Sequence, residues 1–143
     1  MGAYSNDVSR AEAMSRAAHA LLRALGPGEV ILVLPVPTEQ DNSDPFALGT
    51  DLGLASPVVE QVPLAPAVVR DLRSPTSTRT QLEVMVAAST AAAHAETRNF
   101  DPPDAMFDAA LGILHAGKLL RIERVAWDSF AGRPYLYRIT LTD

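Results

Sequence analysis

The side chains best suited to metal ligation or proton transfer are three histidines, His19, His94 and His115. His94 and Glu96 stand two apart, a spacing that serves zinc hydrolysis when a downstream cysteine pair completes the site, but the chain contains no cysteine. The same absence excludes disulfides, zinc fingers and thiol catalysis. Asp41, Asn42, Ser43 and Asp44 offer oxygens to a hard cation, yet they lack the ligand spacing and closing glutamate of an EF-hand loop. Asp101 and Asp104 read as helix-capping groups rather than as an acid–base pair. The chain has no glycine-rich phosphate loop, nucleophile elbow or activated serine or lysine that could be named. No enzyme activity, no metal and no cofactor are therefore expected.

What remains is contact chemistry. Trp127 and Phe130 fall at the tip of a C-terminal hairpin, where bulky apolar groups stay exposed unless the N-terminal helix or another subunit covers them. No Lys or Arg occurs between Ala24 and Val69, a span holding Glu29, Glu39, Asp41, Asp44, Asp51 and Glu60. Within it, residues 38–56 lack any periodic apolar pattern and read as a long acidic arm. Asp41, Asp44, Phe46 and Asp51 of this arm, with Trp127 and Phe130, are the expected partner-binding residues.

With 143 residues, 48% apolar and 20% charged, the chain fits one soluble globular domain with a real core. Its net charge of −5 disfavours a broad nucleic-acid surface. The N-terminus lacks the basic and apolar regions of a secretory signal, and no apolar run approaches a membrane span, so a cytoplasmic product without membrane contact is expected.

The elements that would position these groups follow from periodicity. Ser9 to Leu25 reads as an amphipathic helix with Met14, Ala18, Leu21, Leu22 and Leu25 on one face, a Ser9/Glu12 capping box and a Gly26-Pro27 stop. Val30 to Leu34 reads as a strand buried on both faces. Val58 to Val69 holds Pro63 and Pro66 and reads as an edge or bulged strand. Arg73 to Arg79 is a polar turn. Leu82, Val84 and Val86 alternate with Gln81, Glu83 and Met85 as a further strand. Ser89 should cap a short helix to Thr97, and Asp101 a second, with Pro102 at its first position and Met106, Phe107, Ala110 and Leu111 buried. Ile113 and Leu114 fit the end of that helix or a strand equally well. In the hairpin, Leu120 and Ile122 share a face in the first strand, and Tyr135, Tyr137, Ile139 and Leu141 in the second, with Pro134 placed before the ladder. Together these give a single α+β domain over residues 1–143: a mostly antiparallel, barrel-like sheet packed by the N-terminal helix and one or two short helices.

Two resemblances attach to these motifs. A strand ending at Leu34-Pro35 after a helix, a long arm, the strand Leu82–Val86, the run from Gly117 to Val125 and the Tyr-rich closing strand from Tyr135 to Leu141 resemble the small barrel proteins of tailed-phage necks. These form the head-completion or head–tail joining family, and related structural proteins are prophage-encoded. The resemblance implies a non-enzymatic structural subunit that contacts other protein subunits, assembles as a homo-oligomer and is cytoplasmic or virion-associated. The long N-terminal helix and the helix after Asp101 depart from that pattern. Alternatively, Leu111 to Leu120 followed by Gly132 to Thr142 is similar to the helix-plus-wing end of PadR-like winged-helix repressors. That similarity would put Arg121, Arg124, Arg133 and Arg138 beside DNA phosphates.

Overall fold

The computed structural model describes residues 3–25, 28–36, 58–73, 75–76 and 78–143, with side chains from residue 9 onward. The arm residues Asp41, Asp44, Phe46 and Asp51 lie outside the described residues. The fold is α+β. Helix α1 (Ala3–Leu25) precedes β1 (Val30–Pro35), β2 (Val59–Leu64), β3 (Ala67–Asp71) and β4 (Gln81–Ala87). Helices α2 (Ala88–Thr97) and α3 (Asp104–Ala109) follow, then β5 (Gly112–His115), β6 (Lys118–Phe130) and β7 (Arg133–Thr142). The strands form one seven-stranded sheet in the order β2-β1-β5-β6-β7-β4-β3. Every neighbouring pair is antiparallel.

Residues expected to alternate do so because one face of the sheet is buried. Val84 and Val86 of β4, with Tyr137, Ile139 and Leu141 of β7, are almost fully buried, and Val30, Leu32 and Leu34 of β1 join the same core. Helices α2 and α3 cover it with Ala88, Ala91, Ala95, Met106 and Phe107. Burying each large aliphatic side chain here contributes about 1.5–3 kcal/mol, which drives the sheet to this face. Ile113 and Leu114 belong to β5, not to a helix, and Ile113 lies in the core. Its neighbour Gly112 crosses so close to β6 that an added Cβ would collide with the Leu120 carbonyl oxygen.

The Val58–Val69 stretch, expected as one edge or bulged strand, is two strands, and its prolines fall at the margins because β2 and β3 are the two end strands of the sheet. They are consecutive in sequence, divided only by Ala65 and a cis Pro66. The chain thus passes from one margin to the other across a single corner. Ala67 N–H donates to the Gly28 carbonyl at 2.9 Å, pinning that corner to the chain entering β1.

Several local expectations need correction. Helix α1 starts at Ala3, so Ser9 sits inside it and cannot cap it. Its packed side is Ala11 and Leu22, with Ser15, Ala18 and His19 half-buried, while Met14, Leu21 and Leu25 are exposed. The helix is rotated so that small side chains meet the rest of the fold. Helix α2 starts directly from β4 with Ala87 as its cap and no side-chain bond, so Ser89 is not the cap. Helix α3 begins at Asp104 after Pro103; the carbonyls of Pro102 and Pro103 accept the N–H groups of Ala105 and Met106, and Asp101 stands outside the turn. Leu111 is half-exposed rather than buried. Pro134 lies inside β7, opposite Ser129, where the register shifts.

Candidate interaction site

The hairpin of β6 and β7 turns on Ala131 and Gly132, both with positive φ (51° and 77°), so its tip is a tight two-residue turn. A two-residue turn with both φ positive has the twist that right-handed strands require. β5 and β6 join in the same way through Ala116 and Gly117, at 51° and 78°. Strand β4 pairs with β7 only from Leu136 to Thr142, so the tip from Ser129 to Pro134 extends beyond its neighbour.

A second irregularity decides which side chains share a face. The register of β6 against β7 slips between Ile122 and Arg124, leaving Glu123 as the extra residue. Before the slip Ile122 pairs with core-facing Leu141; after it Val125 pairs with Ile139 and Trp127 with Tyr137. The inward set therefore changes from even to odd numbers, as one inserted residue dictates. Trp127 stays on the core side but near the tip, with 48% of its surface exposed. Its ring meets Tyr137 edge-on at 6.3 Å, and Tyr137 meets Phe107 at 5.6 Å, so a row of aromatic rings runs from the core to the surface. Burial also raises the pKa of the Tyr137 hydroxyl. Phe130 is half-buried.

On the opposite face a charged row crosses the strands. Arg70 of β3 donates to Glu83 of β4 at 3.0 Å, Arg138 of β7 lies 3.5 Å from the same Glu83 oxygen, and Arg138 Nε donates to Asp128 Oδ2 of β6 at 2.9 Å. The bond to Asp128 raises the pKa of Arg138. Of the four arginines named for phosphate contact, Arg138 is thus held by two carboxylates. Arg121 and Arg124 are exposed and pair across the ladder with Thr142 and Thr140, on either side of the slip. Arg133 is exposed at the tip. The stretch Leu111–Leu120, the helix of the winged reading, is instead β5, its turn and the start of β6.

Between the tip, α1 and α2 lies a groove of about 250 Å³ lined by Ala11, Ser15, Ala92, Arg133, Pro134 and Tyr137. It adjoins a cleft of about 490 Å³ lined by Glu12, Ser15, Arg16, His19 and Ser89. Sequence reading passed over this polar side of α1, although Glu12, Arg16 and His19 stand at i, i+4 and i+7, a spacing that sets three groups on one helix face. Carboxylate, guanidinium, imidazole and hydroxyl groups beside an apolar floor suit the polar rim and apolar centre of a protein contact. Among the described residues no three His, Asp or Glu side chains gather as a metal-binding group. Among them, too, no helix is long and apolar enough to cross a membrane.

Comparison with protein families, with characterised proteins and with solved structures returns no match to this chain.

Proposed function

We propose that this chain is a non-enzymatic structural subunit that works by contact with other protein subunits, of the kind found in phage or prophage head–tail connectors. The observation that carries the reading is the overhanging β6–β7 tip, where a half-exposed tryptophan stands on a ring row anchored in the core. A large aromatic held by rigid packing is the usual anchor of a protein interface. In this reading the sheet is barrel-like: its end strands β2 and β3 do not pair with each other, but one corner tied to Gly28 joins them. A cytoplasmic or virion-associated setting follows from the same reading.

The test is oligomer mass by light scattering for the parent chain and for Trp127→Ser. The parent should exceed monomer mass at high concentration, and Trp127→Ser should lower it while the circular dichroism of the fold is kept. A parent that is monomeric throughout, together with duplex DNA binding at low salt that Arg133→Ala weakens, would replace this reading by the DNA-binding one.

A further inference from the structure

Strand β6 extends past its neighbour on one side. Lys118 to Leu120 pair with β5, but from Arg121 to Phe130 the paired strand is β7 alone. The other margin of β6 therefore meets no strand among the described residues. The turn decides which backbone groups lie along it. Phe130 and Arg133 flank a two-residue turn and form its hydrogen-bonded pair. By alternation Asp128, Ala126 and Arg124 direct their N–H and C=O groups at β7, and Ser129, Trp127 and Val125 direct theirs outward.

Open margins are normally blunted by proline, by charged side chains (lysine above all), by bulges or by shortness. Here the bulge at Glu123 precedes the open stretch, and Asp128 is already engaged by Arg138. The end strand β2 carries Pro63, and β3 has only five residues. Val125 to Phe130 has neither a proline nor a lysine. Between this margin and α3 lies a cleft of about 190 Å³ lined by Phe107, Asp108, Leu111, Arg124 and Val125, so the helix does not close it.

We propose that this margin pairs antiparallel with the same margin of a second copy of the chain, about a two-fold axis at Ala126. In that register Ala126 faces Ala126 of the second copy, Arg124 faces Asp128 and Val125 faces Trp127, each of the last two occurring twice. Opposite charges and aromatic–β-branched pairs are the favourable cross-strand combinations. The outward groups of Val125 and Trp127 meet as hydrogen-bonded pairs. The bond from Arg138 uses Oδ2 of Asp128, leaving Oδ1 for Arg124 of the second copy. Moving the axis to Trp127 would set Arg124 against Phe130 and Ala126 against Asp128, and both ion pairs would be lost. Charge thus selects the register, and the half-exposed Trp127 becomes covered. The inference goes beyond the assembly reading, because it names the partner and the alignment and holds whether or not the chain sits in a particle.

The experiment uses the absence of cysteine. Ala126→Cys introduces a single thiol on a non-hydrogen-bonded antiparallel pair, where Cα atoms lie about 4.5 Å apart, within disulfide range. Under air oxidation it should give a covalent dimer at a concentration where Arg124→Cys and Arg70→Cys stay uncoupled. Arg124→Asp should shift the light-scattering mass from dimer towards monomer, and less so in high salt. Cross-linking of Ala126→Cys no faster than the controls would overturn the proposal. Should the mass exceed the monomer and depend on Trp127 without that cross-link, the β6 register falls and the assembly reading stands.

Discussion

Arg98 donates through both Nε and Nη2 to the same oxygen of Glu60, at 2.9 and 2.6 Å, and so ties helix α2 to the end strand β2. A third contact runs from Arg98 Nη1 to the His94 carbonyl at 3.0 Å, one helical turn back. The guanidinium thus clamps the end strand β2, which among the described residues pairs with a strand, β1, on one side. Glu60 is partly exposed, at 43%, so solvent screens the pair. Arg98→Met should destabilise the fold by about 1 kcal/mol. The loss should shrink in high salt, and urea unfolding at two ionic strengths checks it.

His94 lies beside this pair, and its pKa is lowered first by burial and then by the Arg98 charge, against weaker opposing effects from the Pro63 backbone and Glu60. A histidine whose folded pKa is depressed resists protonation that the unfolded chain accepts. Its contribution to stability is present above the ordinary histidine value, about 6.5, and is lost as the pH falls below it. Thermal melts between pH 7.5 and pH 5 should show this decline, and His94→Gln should flatten it.

Tyr137 and Ile122 face the same side of the sheet but differ in surroundings. Tyr137 is buried between Phe107 and Trp127, whereas Ile122 is half-buried beside the register slip. Tyr137→Ala should cost about 3–5 kcal/mol and Ile122→Ala only about 1–2 kcal/mol, since the smaller loss accompanies partial exposure. Equal losses by chemical denaturation would show that the slip does not loosen the Ile122 site.

Gly132 has φ +77° and open space where a Cβ would stand, so Gly132→Ala meets a backbone cost of about 1–2 kcal/mol and no collision. Gly112→Ala is the opposite case, with a collision against the Leu120 carbonyl oxygen. Gly112→Ala should be the more damaging of the two. At Ala131, also at positive φ, Ala131→Asn should raise the melting temperature, because asparagine tolerates that conformation better.

Period-two alternation by itself placed Val84, Val86, Tyr137, Ile139 and Leu141 on one buried face, and the unbroken run at β1 marked a strand covered on both sides. Proline chemistry demoted Val58–Val69 to an edge or bulged strand, and the structure divides it into the two end strands. These features are local: each depends on the side-chain period or on a missing N–H, and neighbours in sequence suffice to express it. The rotation of α1, with Met14, Leu21 and Leu25 outside, was not legible, because the helix had several apolar directions and only the packed surface could choose among them. The caps expected at Ser9, Ser89 and Asp101 failed for separate reasons: α1 already begins at Ala3, α2 continues directly from β4 at Ala87, and the carbonyls of Pro102 and Pro103 accept the first N–H groups of α3. The candidate site depended most on tertiary structure. A single extra residue at Glu123 reversed the inward phase of β6, and the early end of β5 left one margin of β6 without a strand partner among the described residues. Both arise from register between strands, which is set by the burial of partners distant in sequence and not by the run of residues from Lys118 to Phe130.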